Sequence, residues 1–247
     1  MTDRDVDILR WLYRYRYLRQ THLLTVISPR SQKRFIERLG DLFHETGLIH
    51  RPAIEPGVFD ARLRPMLYEI APSGIDWLAG QNALPDRAVT FSRQSRRAFS
   101  PQLPHTMMII DALMAVELAT LRDPKQRFVP VDEILRRAPE ATRQARNPLA
   151  IPVPAAKNAG RENNGQRVLI PDALYGIEYR SGSDKGYRFW ALECERTSPA
   201  WRSTDRASST ALKRAAYEAL IAARAYRSHW GIPNLKLNVI TSASNRA

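Results

Sequence analysis

The sequence predicts an α+β chain in two parts, with a small helical part followed by a larger α/β part. Three observations predict this. Apolar residues recur at helical spacing three times before two short strand-like runs, all within residues 1–80. Residues 81–103 then break the pattern with Pro85, Pro101 and a cluster of Ser92, Arg93, Ser95, Arg96 and Arg97, which reads as a linker. From residue 104 to 247 the pattern changes to apolar strands between long helices.

Each element has a local reason. Thr2 suits a helix N-cap with Asp3 and Asp5 in the first turn, where the helix dipole favours carboxylates, and Ile8, Leu9, Leu12 and Tyr15 follow at helical spacing. A second helix starts at Thr21 with Leu23, Leu24 and Ile27 as its apolar face, and Ser28-Pro29 ends it. Ser31 caps a third, Gln32 to Thr46, with Phe35, Leu39, Leu42 and Phe43 facing inward and Gly47 at its end. Residues 48–51 and 66–70 read as two strands, and Pro72-Ser73-Gly74 opens a helix carrying Ile75, Trp77 and Leu78. Three helices, two strands and a helix form the order of a winged helix-turn-helix, with the third helix as recognition helix and the hairpin as wing.

In the second part, Pro104 opens an apolar helix from His105 to about Thr120. Arg127–Leu135 reads as a strand, and residues 138–166 as a long loop with few structure signals. Val168–Ile177 and Tyr187–Glu195 read as buried strands joined by the polar turn Ser181–Gly186. In the second of these, Phe189, Ala191, Glu193 and Glu195 alternate with Trp190, Leu192 and Cys194. A long helix, Asp205–His229, and a strand, Leu235–Ile240, complete a three-layer α/β arrangement.

Lys and Arg total 38 against 25 Asp and Glu, a net charge of +13, which favours a polyanionic partner. Only six of the 38 are Lys, so part of the excess is compositional. One cysteine, Cys194, excludes an intrachain disulfide and a Cys-rich zinc site. Cys194 lies between two acids in an apolar strand, which suits a buried structural thiol better than a nucleophile. The five histidines are scattered without metal-ligand spacing, and no phosphate-binding glycine loop occurs. No run of 18 apolar residues is present and the N-terminus is polar, so the expectation is a soluble cytoplasmic protein without a membrane partner.

Two sets of residues carry candidate chemistry. The first is basic: Arg30, Ser31, Gln32, Lys33 and Arg34 at the start of the third helix, Arg38 one turn on, and Arg51, Arg62 and Arg64 in the wing. Residues at the start of a recognition helix reach base edges, and wing arginines neutralise phosphates, so double-stranded DNA is the expected partner. A solvated basic face is the plainer reading. The dense stretch of Arg10, Arg14, Arg16 and Arg19 with Tyr13, Tyr15 and Tyr17 reads as a first helix with buried tyrosines and solvated arginines, ahead of the alternative of a stacking surface for single-stranded nucleic acid. Trp190, Trp201 and Trp230 read as core residues.

The second set is acidic. Asp172 and Glu193 sit inside apolar strands, where a carboxylate is costly unless paired or metal-bound. On adjacent strands they can converge on one Mg²⁺ or Mn²⁺, with Glu195 as a third ligand or base. Glu117 reads as an exposed helix residue or a further acid of the same site.

The second part resembles the PD-(D/E)XK nuclease superfamily, whose Asp and following Glu-x-Lys form a metal and catalytic site. Asp172 matches the Asp and Glu193 the Glu, but Glu195 stands at the Lys position, so Arg196 or Lys213 of the next helix is the candidate substitute. The whole chain, over roughly residues 2–240, also resembles the replication-relaxation family of plasmid and mobile-element proteins. Thr2-Asp3-Arg4-Asp5, Tyr15-Arg16-Tyr17-Leu18 and Leu67–Gly74 are similar to its winged-helix part. Pro171-Asp172-Ala173, Leu192–Thr197 and the Tyr217 helix are similar to its second part. Glu195 departs from that family too, which often has Asp there. The resemblance implies DNA binding in replication, relaxation or transfer, or in their regulation, with a degenerate nuclease-like domain. Plasmid replication or transfer proteins are implied partners, and a two-fold dimer would fit a palindromic site. The alternative is an active Mg-dependent DNA endonuclease using Asp172, Glu193 and Glu195.

Overall fold

The computed structural model describes residues 1–52, 65–91, 102–153, 168–195 and 210–241. It is a mixed α+β chain, and backbone contacts divide it into two units, Met1–Leu118 and Ala119–Ala247.

In the first unit, α1 (Asp3–Tyr15) begins with a reciprocal cap. The Thr2 hydroxyl accepts from the Asp5 N–H and the Asp5 carboxylate accepts from the Thr2 N–H. Ile8, Leu9, Leu12 and Tyr15 are fully buried, which gives α1 the apolar stripe its spacing predicts. The helix ends sharply at Arg16, whose φ is 65°. There the expectation needs correction: Tyr17–Arg19 forms a strand, β1, before α2 (Gln20–Ile27). Ser28, at φ 46°, closes α2, and the Ser31 hydroxyl caps α3 (Gln32–His44). Phe35, Leu39 and Leu42 are buried, and Phe43 is half-buried. β2 (Ile49–His50) and β1 both pair antiparallel with β3 (Leu67–Ile70), so the sheet has three strands in the order β1-β3-β2.

α4 (Pro72–Gly80) carries its Pro in the first turn, where no amide is needed. A Cβ on Gly74 would stand 2.3 Å from the Leu48 carbonyl oxygen, so only glycine lets α4 come this close to the chain entering β2.

The stretch read as a linker is in part packed structure. The Ala88 N–H donates to the Arg14 carbonyl at 2.9 Å, Ala88 is fully buried, and the Arg14 guanidinium donates to the Asp86 carbonyl. Residues 83–91 therefore lie along α1, and residues 92–101 are outside the described residues. α5 (Leu103–Leu121) follows, and the division between the units falls inside it rather than before it. Two acids of α5 bind arginines of the first unit, Asp111 with Arg19 and Glu117 with Arg14. By length and composition α5 is the one helix among the described residues that could cross a membrane, but these paired acids suit a packed helix.

In the second unit, β4 (Gln126–Val129) is shorter than the expected strand, because Pro130 starts α6 (Val131–Arg136). α7 (Glu140–Gln144) and β5 (Ile151–Pro152) lie inside the expected loop. β5 pairs with β6 (Val168–Leu169). The strand expected over 168–177 is interrupted after β6, where Pro171 lacks an amide for the ladder, and resumes as β7 (Ala173–Ser181). Gly182 at φ +60° and Ser183 turn β7 into β8 (Asp184–Glu195), so β8 begins inside the expected polar turn. The single long helix expected over 205–229 is two, α8 (Thr210–Ala222) and α9 (Ala225–Trp230), broken at Arg224 with φ 53°. β9 (Lys236–Thr241) pairs parallel with β8, and the sheet order is β4-β7-β8-β9. One face of this sheet packs Val129, Leu174, Phe189 and Ala191 with Tyr217, Leu220 and Trp230. On the other face Phe128, Tyr175 and Trp190 stack in sequence, at 5.9 and 5.4 Å between ring centres.

Candidate functional site

Glu193 and Glu195 follow Phe189 and Ala191 on one face of β8, because strand residues two apart point the same way. Glu193 is buried and Glu195 half-buried. The register pairs Ala173 with Leu192, so Asp172 sits where β7 begins, beside Glu193 and Cys194 of β8. The Asp172 N–H donates to the Leu192 carbonyl at 3.1 Å, and one Asp172 carboxylate oxygen accepts from the Cys194 N–H at 2.8 Å.

α8 completes the arrangement with two residues one turn apart, Lys213 and Tyr217. The Lys213 ammonium donates to one Glu193 oxygen at 2.5 Å, and the Tyr217 hydroxyl donates to the other at 2.7 Å. Burial raises the pKa of Glu193 and the Asp172 charge adds to the rise, while Lys213 and Tyr217 oppose it. Burial acts against the charge on Lys213, yet the Glu193 hydrogen bond and the charges of Glu193, Asp172 and Glu195 hold its pKa above the ordinary lysine value. Lys213 therefore stands as an ammonium in the field of three carboxylates. Burial and the Glu193 charge raise the Tyr217 phenol well above its ordinary range, so Tyr217 is a hydrogen-bond donor here and not a phenolate nucleophile.

This set does not fit a divalent cation as it stands. A cation needs carboxylate lone pairs directed at it. Both Glu193 oxygens are engaged, and one Asp172 oxygen holds a backbone amide. Among the described residues no group of three or more His, Cys, Asp or Glu is placed to hold a metal.

The basic residues divide into two kinds. Arg30, Ser31, Gln32, Lys33 and Arg34 are all exposed at the N-terminal end of α3, and none forms an ion pair among the described residues. Arg38 is different: its guanidinium grips the buried Asp5 carboxylate at 2.9 and 2.8 Å. Arg51 is half-buried, with its guanidinium 4.6 Å from the Phe43 ring centre and 5.5 Å from that of Tyr68. Arg62 and Arg64 lie outside the described residues, as do Arg196 and Trp201. The arginines expected to be solvated near the end of α1 are paired. Arg14 binds Glu117, Arg16 binds Glu69 at 3.0 Å, and Arg19 binds Asp111. Glu117 is buried, correcting the expectation of an exposed acid, and it also accepts from the Tyr15 hydroxyl.

Sequence reasoning missed a second charged cluster in this unit. Arg127 on β4 binds Glu133 of α6 and Glu178 of β7, both buried, and Arg180 and Tyr187 also donate to Glu178. The available signal was the pair of acids inside otherwise apolar segments.

A family model described as replication-relaxation matches residues 9–235. The chain belongs to the replication-relaxation family. No curated protein and no solved structure matches it. Membership covers both units and assigns the chain a role in plasmid or mobile-element replication or relaxation. In this replication-relaxation protein the exposed basic row falls in the first unit and the Asp172–Glu193–Lys213–Tyr217 set in the second.

Proposed function

We propose that this replication-relaxation protein binds double-stranded DNA through its first unit, and that its second unit is a nuclease-like domain which does not cleave. The observation that carries the reading is the exposed row Arg30, Ser31, Gln32, Lys33 and Arg34 at the start of α3, without a charge partner among the described residues. Helix order supports it. α1, α2 and α3 followed by strands and α4 is the order of a winged helix-turn-helix, with β1 as the added third strand. In such a fold the N-terminal residues of the third helix contact base edges, where Arg and Lys suit guanine and Gln suits adenine. The net charge of +13 supplies the sequence-independent part of the affinity.

The second unit carries an Asp immediately before one strand and a Glu on the next, similar to the pattern of PD-(D/E)XK nucleases, with Lys213 arriving from the following helix. The engagement of Glu193 by Lys213 and Tyr217 supports a non-cleaving domain. The same reading places the protein in the cytoplasm with its DNA, alongside the replication or transfer proteins of the element.

The deciding experiment incubates the full chain with plasmid DNA in Mg²⁺, in Mn²⁺ and in chelator, read by gel shift and by cleavage. Retarded, intact DNA in every lane is the expected result. Metal-dependent nicking that disappears in Asp172→Ala would replace this reading with an endonuclease. Absence of any shift at low salt would remove the DNA-binding reading.

A further inference from the structure

We propose that the Lys213 ammonium takes the position a divalent cation holds in metal-dependent nucleases, so that Glu193 of this acidic site is paired with a cation of the chain itself. The proposal rests on the nuclease-like reading of the second unit. It goes beyond that reading by naming what the site holds.

The geometry has the form of a cation site with an internal cation. The Lys213 nitrogen lies 2.5 Å from a Glu193 oxygen, within the contact range of a hard cation with a carboxylate. Glu193 holds it directly, and the charges of Asp172 and Glu195 also favour its charged form, the same three acids the sequence nominates for a metal. An ammonium offers three donors and one positive charge, enough to satisfy carboxylates without the strict octahedral geometry that Mg²⁺ demands. Two further acceptors are engaged by groups that no metal would need. The second Glu193 oxygen accepts from Tyr217, and an Asp172 oxygen accepts from the Cys194 N–H.

Entry of a divalent ion has two costs. The ion must displace the ammonium from a buried carboxylate, and it must then tolerate that ammonium nearby. Like charges at such separations repel strongly even when partly screened by protein and water. Lys213 reaches the site on a flexible four-carbon stem from α8, and its side chain is 37% exposed. It is therefore a removable plug rather than a deeply packed part of the core.

A purely structural ion pair between α8 and β8 would leave no discrete Glu193-dependent metal site when Lys213 is removed, and this sets the test. The full chain is titrated at pH 7.5 with Tb³⁺, read by luminescence sensitised through nearby aromatic rings, and with Mn²⁺ by calorimetry. Glu193→Gln serves as the background control. The wild type should show no signal beyond that control. Lys213→Ala and Lys213→Met, the latter keeping the stem, should bind about tenfold tighter or more than wild type. The gain should vanish when Glu193→Gln is added, and Lys213→Arg should stay silent. Folding of each variant is checked by circular dichroism.

A Glu193-dependent site in the wild type would overturn the proposal and favour the endonuclease reading. Folded Lys213→Ala and Lys213→Met variants that stay silent would also overturn it. Should neither variant fold, the wild-type titration decides alone. Loss of the DNA-binding reading would appear separately, as an absent gel shift with these metal titrations unaffected.

Discussion

Arg38 of α3 and Asp5 of α1 form a two-pronged ion pair at 2.9 and 2.8 Å, and the same Asp5 carboxylate caps α1 at Thr2. One buried carboxylate thus ties the start of α1 to the middle of α3. The sequence pattern groups Arg38 with the DNA-contacting residues, but its guanidinium is committed within the fold. The exposed residues one to two turns earlier, Lys33 and Arg34, carry no such duty.

Mutation should separate these roles. Arg38→Ala leaves the Asp5 charge, only 1% exposed, without its partner, and should cost about 2 kcal/mol of stability, less than the 3–5 kcal/mol of a fully buried pair because Arg38 is one-third exposed. Lys33→Ala with Arg34→Ala should leave the melting temperature unchanged and weaken duplex DNA binding. It should also flatten the plot of log affinity against log salt by about two counterions. Thermal melts and a salt series on the same three proteins check both statements. Unchanged affinity and slope in the double variant would remove α3 from the DNA interface.

The Arg127–Glu133–Glu178 cluster predicts an acid-sensitive second unit. Hydrogen bonds from Arg127 outweigh burial and hold the Glu178 pKa at about 2, against an ordinary 4.5, and the same arginine lowers Glu133. A carboxylate lowered in the fold binds protons more readily when unfolded, so its contribution is complete above about pH 5 and fades as pH falls toward 2. Glu178→Gln should therefore melt well below wild type at pH 7, with the gap closing as pH approaches 2. A gap that stays constant from pH 7 to pH 3 would show that the cluster adds no pH-dependent stability.

How much of this was legible depended on how local each signal was. The Thr2 cap, the Ser31 cap and the apolar stripes of α1 and α3 are set by residues within one or two turns, and periodicity finds them. β1 was hidden because Tyr17, Leu18 and Arg19 continue the alternation of α1. Their strand conformation depends on β3, some fifty residues away. The breaks at Pro130 and Pro171 were visible as letters, but only the sheet register decides that one ends a strand and the other interrupts one. At the site, Asp172 and Glu193 stood out as acids in apolar strands. Tyr217 looked like any core tyrosine, because its role comes from α8 lying against β8, which no spacing within α8 encodes.

The Tyr15 hydroxyl and the Arg14 guanidinium both donate to Glu117, so α1 and α5 share a buried three-residue network in the first unit. Burial and the Glu117 charge raise the Tyr15 phenol well above its ordinary range, which keeps it a donor at neutral pH. Tyr15→Phe removes one hydrogen bond to a charged acceptor and should cost about 1.5–3 kcal/mol. Glu117→Ala leaves Arg14 and Tyr15 buried without their acceptor and should cost more. Chemical denaturation of both variants gives the comparison. Equal, small losses would mean that the network is solvated rather than buried.

Gly74 gives the sharpest steric test. Its φ is not unusual, so the requirement is space: an added Cβ would stand 2.3 Å from the Leu48 backbone oxygen and 3.1 Å from the Ile70 side chain. Backbone oxygen cannot swing aside as a side chain can, and the Leu48 carbonyl also accepts the Ala71 N–H at 3.0 Å. Gly74→Ala would normally favour a helix by about 1 kcal/mol. Here the clash must push α4 away from the entry to β2, as overpacking does at about 1–3 kcal/mol. The substitution should therefore lower stability despite its better helix propensity. Gly80→Ala, on the same helix, would place its Cβ with nothing within 4 Å, and should raise stability or leave it unchanged. A lowered melting temperature in Gly74→Ala beside none in Gly80→Ala checks the close approach. A stabilised Gly74→Ala would show that α4 does not pack on the Leu48 carbonyl.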